Sequence, residues 1–174
     1  MKLIKVAFLD RDGVINSSRY NAGYIGSLKY FKWIPGAIKT IQYLKKKSYK
    51  VVVVTNQSGV ARGFFKIKDV KKIHFFIQKK LKINNVKIDA FYFCPFHKDG
   101  IVKRYRKNSQ LRKPNIGMFK LAKKRWKIDL KRSFMIGDQL SDMQFAKKAK
   151  IKGFLYNSGN LLNFIKSKKF INEN

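Results

Sequence analysis

Residues 8–16 read FLDRDGVIN. An apolar run, LIKVAFL at 3–9, ends there in two aspartates one residue apart, Asp10 and Asp12. The run has the length and character of a buried strand. Gly13 permits a tight backbone path after it, so both carboxylates can turn toward one pocket. Acids are scarce in this chain, with nine Asp and Glu against forty-one Lys and Arg. A single aspartate is most often a cap or turn residue. A second pair, Asp138 and Asp142, follows another apolar run, SFMIG at 133–137. Two such pairs, each after an apolar run, point to a shared site.

Outward from that stretch, strand and helix patterns alternate. Residues 36–47 read as a helix opened by Pro35-Gly36, with Ile38, Ile41 and Leu44 on one face. VVVVT at 51–55 is a continuous β-branched run, as in a parallel strand covered on both sides. A helix is expected at 67–82, where Ile67, Val70, Ile73, Ile77 and Leu81 keep helical spacing. IDAFYFC at 88–94 reads as a third strand, and a polar, basic loop covers 95–113. Pro114 is placed to open a helix running to Trp126. SFMIG is a fourth strand, Ser141 the N-cap of the helix after it, and IKGFLY at 151–156 a fifth strand. The basic, amphipathic tail at 157–174 reads as a solvated helix packed on the domain.

This order predicts an α/β fold: one Rossmann-like domain over residues 1–174, core at about 3–156, with a parallel sheet and helices on both faces. A length of 174 residues suits one such domain. Ligands of these sheets sit at the carboxyl ends of the strands. Asp10, Thr55, Cys94 and Asp138 all fall near such ends, and three of the four can converge on one site.

With hydrophobic residues at 45%, wholesale disorder is excluded. The single cysteine, Cys94, cannot form an internal disulfide and fits a reducing compartment. No signal-peptide pattern opens the chain and no apolar run reaches membrane-spanning length. A cytoplasmic, monomeric protein without membrane contact is expected. The net charge of +32 admits a nucleic-acid or anionic-surface partner. The charge forms no single stripe or tail, and Lys, Ile, Asn, Phe and Tyr share AT-rich codons, so the reading favours compositional drift. Either way, the surface attracts phosphorylated molecules.

The motifs carry phosphate chemistry. Of two carboxylates in one site, one can serve as nucleophile and the other as acid and base. TNQSG at 55–59 offers a hydroxyl and two amides to phosphoryl oxygens. RKPNIGM at 112–118 places two cations before a helix start, a natural anion site. Asp10, Asp138 and a backbone carbonyl can hold Mg²⁺, a hard cation that prefers oxygen ligands.

The order D-x-D-G, T-N, a lysine at a helix start, then G-D-x-x-x-D resembles the haloacid dehalogenase (HAD) superfamily of phosphotransferases over residues 3–156. The resemblance implies that Asp10 attacks phosphorus to form a phosphoaspartate and that Asp12 transfers the proton. It further implies that Thr55 and Lys113 stabilise the phosphoryl oxygens, and that Asp10, Asp12 and Asp138 supply the Mg²⁺ site with Asp142 behind them. DRDGVIN, GY at 23–24, TNQSGVARG at 55–63, CPFH at 94–97, RKPNIGM and GDQLSDM at 137–143 resemble most the D-glycero-D-manno-heptose-1,7-bisphosphate 7-phosphatases, enzymes of the lipopolysaccharide core precursor pathway. That family implies substrate contacts from Asn21, Ala22, Gly23, Tyr24, Asn56, Gln57, Ser58 and Arg112, and a contact at position 139. The gaps between motifs are too short for a cap domain.

Two departures stand out. Family members bind structural Zn²⁺ through four positions that here hold Cys94, Phe96, Ser109 and Leu111. One thiolate, even with His97 nearby, does not make a tetrahedral site, so zinc is expected to be absent. Gln139 stands where the family often has a lysine on substrate phosphate. Histidinol-phosphate phosphatases and polynucleotide 3′-phosphatases share parts of the pattern; the charge and the missing zinc ligands suit the latter. A nucleic-acid-binding relic without catalysis is the non-enzyme reading, and paired carboxylates argue against it.

Overall fold

The computed structural model describes residues 2–18 and 23–172. Five strands form one sheet: β1 (Val6–Leu9), β2 (Lys50–Asn56), β3 (Ala90–Cys94), β4 (Phe134–Gly137) and β5 (Lys152–Leu155). Their order is β3-β2-β1-β4-β5, and every pairing is parallel. Among the described residues six α-helices connect or follow them: α1 (Ala37–Lys46), α2 (Ile67–Ile83), α3 (Gly117–Arg125), α4 (Leu140–Ala149), α5 (Leu161–Lys166) and α6 (Lys169–Asn172).

Side chains alternate across a strand, and here both faces are apolar. Ala7, Leu9, Val51, Val53, Phe134 and Ile136 face one core, shared with Ile41 and Leu44 of α1, Ile73, Ile77 and Leu81 of α2, and the tail residues Leu161, Ile165 and Ile171. Val6, Phe8, Val52, Val54 and Met135 face the other, against Met118, Phe119 and Ala122 of α3 and Phe145, Ala146 and Ala149 of α4. This two-sided burial is why VVVVT lacks alternation in sequence. The tail is built into the first core rather than merely resting on it.

From β1 the chain winds outward through β2 and β3 on one side and through β4 and β5 on the other. The crevice at the carboxyl ends of β1 and β4 is therefore the topological switch point, where ligands of such sheets bind.

Two helix starts differ from the sequence expectation. α3 begins at Gly117, three residues beyond Pro114, with Ile116 as its N-cap. α4 is capped by Gln139 and not by Ser141. Asp142 accepts from the Gln139 main-chain N–H at 3.1 Å, completing a reciprocal capping box centred two residues before Ser141. Ser141 instead lines the site cavity.

The expected loop at 95–113 holds one short 3-10 turn, Lys103–Tyr105. Among the described residues no helix is long and apolar enough to cross a membrane.

Candidate active site

A cavity of about 440 Å³ opens at the switch point. Asp10, Asp12, Tyr24, Thr55, Lys113 and Asp138 are among the residues lining it. Gly23, Asn56, Gln57, Ser58, Arg112 and Gln139 line it too, so the sequence candidates converge. Asn21 and Ala22 lie outside the described residues.

Lys113 organises one wall. Its ammonium sits 3.0 Å from Asp10 Oδ1 and 2.6 Å from Asp142 Oδ1, and donates to the Val54 carbonyl at 2.8 Å. The side chain is 1% exposed, which by itself favours the neutral amine. Asp10 and Asp142 outweigh that burial and raise the Lys113 pKa, so it stays a cation. Asn56 fixes the backbone behind it: its Oδ1 accepts from the Lys113 N–H at 3.0 Å, and its Nδ2 donates to the Lys113 carbonyl at 3.1 Å. The amide expected to contact substrate is here a clamp across fifty-seven positions.

Asp12 faces Asp10 from a separate nest. Arg11 Nη2 reaches both its oxygens at 2.8 Å and Arg11 Nε adds a bond at 3.0 Å. Asn16 and Gln57 each donate to it at 2.8 Å. Gln57 also donates to Thr55 Oγ1 at 3.0 Å, tying the TNQSG turn to Asp12. Arg11 is fully buried and also donates to the Ile25 carbonyl at 2.7 Å. Arg11 and Asn16 were not among the sequence candidates. Both stood inside DRDGVIN, but one arginine among forty-one cations carries no signal of its own.

Oxygens of Asp10, Asp138 and Asp142 lie within 4.8 Å of one another. Among the described residues Lys113 is the cation ion-paired with these three carboxylates, so their formal charges exceed that of their paired cation. Burial first, and Asp10 second, raise the Asp138 pKa. The same two causes push Asp142 up to about 6, against the pull of Lys113. Asp138 Oδ1 is buried and has no hydrogen-bond partner among the described residues, while Gln139 Nε2 holds Oδ2 at 3.0 Å. Gly13, at φ +89°, lets the first loop approach: a Cβ there would overlap the Asp138 carboxylate. A buried carboxylate cluster with an orphaned oxygen fits a hard divalent cation. The Asp12 carboxylate is outside this cluster.

The loop that carries the four expected zinc positions is packed by other means. The buried Cys94 thiol donates to the Phe96 carbonyl at 3.8 Å. The Phe96 ring lies tilted against Tyr105, centroids 6.0 Å apart, with the Lys107 ammonium 4.3 Å from its own centroid. Leu111 packs on the second core. His97 Nε2 lies 3.3 Å from Arg62 Nη2.

Residues 5–156 match the family model described as polynucleotide kinase 3 phosphatase. The chain is 42% identical over 160 residues to the D-glycero-beta-D-manno-heptose-1,7-bisphosphate 7-phosphatase of Rhodopseudomonas palustris, covering 92% of this chain and 87% of that one. It is 39% identical to the enzyme of the same name from Escherichia coli K12, over 86% of this chain and 77% of the relative. Among solved structures, the D,D-heptose 1,7-bisphosphate phosphatase of B. bronchiseptica, complexed with magnesium and phosphate, superposes with a TM-score of 0.79 at 31% identity, covering 95% and 88% of the two chains. A HAD-like phosphatase of Mesorhizobium loti gives 0.81 at 33%, covering 91% and 75%. The chain belongs to the HAD phosphatases, in the family of the D-glycero-D-manno-heptose-1,7-bisphosphate 7-phosphatases.

Proposed function

We propose that this chain hydrolyses a phosphomonoester through a phosphoaspartate on Asp10, and that its substrate is D-glycero-D-manno-heptose 1,7-bisphosphate, cleaved at the 7-phosphate. The observation that carries the reading is the pairing at the cavity floor. Asp10 is anchored there by Lys113, opposite an Asp12 held by Arg11, Asn16 and Gln57. Among the described residues, the Arg11 N–H and the Lys113 ammonium both meet the Asp10 carboxylate at Oδ1. Oδ2 is then the oxygen that attacks phosphorus. The O–P bond to Asp10 forms as the bond to the sugar oxygen breaks, and Asp12 gives that oxygen its proton. Asp12 next takes a proton from water as it attacks the phosphoaspartate, releasing inorganic phosphate and the Asp10 carboxylate. Lys113 offsets the charge gathering on the phosphoryl oxygens, and Thr55 and Ser58 offer hydroxyls to them.

Mg²⁺ would be held by Asp10, Asp138 and the Asp12 main-chain carbonyl, where it lowers the repulsion between carboxylate and phosphate. Asp142 spends its oxygens on Lys113 and on the α4 cap, so its part is to position Lys113. Gly23, Tyr24, Arg112 and Gln139 would face the sugar. Structural zinc is not part of the reading, because Cys94 stands without thiolate partners at the other three positions. Relatives at 39–42% identity are named for the beta anomer, which makes beta the anomer to assay first.

A second reading, polynucleotide 3′-phosphatase, is favoured by the +32 charge and by the description of the matching family model. The experiment that separates them is phosphate release with Mg²⁺ from heptose 1,7-bisphosphate, histidinol phosphate and a 3′-phosphorylated oligonucleotide, with Asp10→Asn as control. Release from the heptose bisphosphate that Asp10→Asn abolishes is expected. Preference for the oligonucleotide overturns the sugar assignment, and activity retained in Asp10→Asn overturns the nucleophile.

A further inference from the structure

α2 runs away from the active site, and its last turns reach the amino ends of the strands. There, Phe75 and Ile83 stand 72% and 70% exposed. They lie eight residues apart, about two helical turns, so they share one face of α2. Together with Val86 they line a shallow groove of about 1010 Å³. Lys79, Lys82 and Lys87 form its rim and make no ion pair among the described residues. The carboxylate beside the groove, Asp89, is already taken by Lys45 at 2.7 Å and Lys50 at 3.2 Å and is 5% exposed. Among the described residues no carboxylate pairs with the three rim lysines.

Diffuse positive charge needs no apolar groups, and a duplex phosphate backbone offers none to meet. Two protruding apolar side chains set among unpaired lysines match a different chemistry: anionic headgroups over an acyl boundary. In departure from the sequence expectation of no membrane contact, we propose that this face of α2 and the turn after it dock on an anionic lipid bilayer, with Phe75 and Ile83 entering the headgroup boundary and Lys79, Lys82 and Lys87 meeting lipid phosphates. Asp89 sits at the start of the β2–β3 pairing, where its N–H bonds the Val51 carbonyl, so the groove is at the end of the sheet opposite Asp10. Docking there leaves the catalytic mouth facing water and open to a soluble substrate. The proposal is independent of which phosphomonoester the site takes.

The test is co-sedimentation of the full chain with vesicles of phosphatidylglycerol and phosphatidylcholine in equal parts, and with phosphatidylcholine alone, at about 0.15 M salt. Binding to the anionic vesicles alone is expected. F75S/I83S should lower the partition at least about ten-fold, since two apolar side chains lose their burial. Lys79, Lys82 and Lys87 changed together to Gln should lower it more than the same change at Lys120, Lys123 and Lys124, which are exposed on α3 across the sheet. Both sets are at the surface, so folding is unaffected and is checked by thermal melts. Absence of anionic-vesicle binding overturns the proposal. So does an unchanged partition of F75S/I83S, or equal loss from the two lysine sets, because either result makes the binding diffuse charge.

Discussion

His74 gives the sharpest test of how the first core is built. It lies on the buried side of α2, stacked on Phe91 at 4.5 Å and edge-on to Phe93 at 5.7 Å. Its Nε2 is buried without a hydrogen-bond partner among the described residues. Burial, and secondarily the Arg11 guanidinium, lower its pKa from 6.5 to about 3. The unfolded chain therefore takes up the proton first as pH falls. Stability owed to neutral His74 is complete above 6.5 and is lost progressively toward 3. Between pH 7.5 and 5.0 the linkage amounts to about 2 kcal/mol, and it stays near that value for any folded pKa below about 4. The perturbation is His74→Phe, which keeps the ring on Phe91 and removes the unpartnered nitrogen. The assay is urea unfolding of both proteins at pH 7.5, 6.5 and 5.0. Other titrating groups, such as Asp89 and Asp142, are common to both and cancel in the difference. The wild-type chain should lose about 2 kcal/mol more than the variant across that range. Parallel stability profiles would refute the reasoning and mean that His74 is protonated or solvated in the folded chain.

Three further outcomes are expected. Asp142→Asn removes one anion from Lys113 and should lower kcat about ten- to a hundred-fold with little change in KM, a smaller loss than Lys113→Met, measured in steady state. Gly13→Ala places a methyl group against Asp138 at a positive φ; it should cost about 1–3 kcal/mol in denaturant unfolding and raise the Mg²⁺ concentration needed for half-maximal activity. Leu161→Ala, at a fully buried tail position, should destabilise the chain by about 2–5 kcal/mol; a change under about 0.5 kcal/mol would mean that α5 is dispensable to the core.

Much of the fold was legible because its signals are local. Phe8 and Leu9 end a strand whose two faces are both buried, so the run is apolar at every position, and VVVVT repeats the pattern. The helical spacing of Val70, Ile73, Ile77 and Leu81 set α2 within a residue at its end. That Asp10, Asp12 and Asp138 meet at one cavity was legible for the same reason, since each lies in a short stretch at a strand end. What escaped were supports that join distant segments. Nothing in TNQSG shows that Asn56 closes on the Lys113 backbone. Nothing in Arg11 distinguishes it from forty other cations until it is found buried against Asp12. The misplaced α4 cap has the same origin. Serine is the better cap in isolation, yet Asp142 must stand three residues after the cap while its other oxygen reaches Lys113. One carboxylate thus starts a helix and holds the buried Lys113. Several of the remaining acids are also committed: Asp69 caps α2, Asp89 ties β2 to the α1 end, and Asp129 binds Arg132. A chain this short of acids cannot neutralise its surface with ion pairs. Most of its described carboxylates stand beside a buried cation, at a helix start or on the wall of the cavity, which is why two closely spaced aspartates after an apolar run meant so much here.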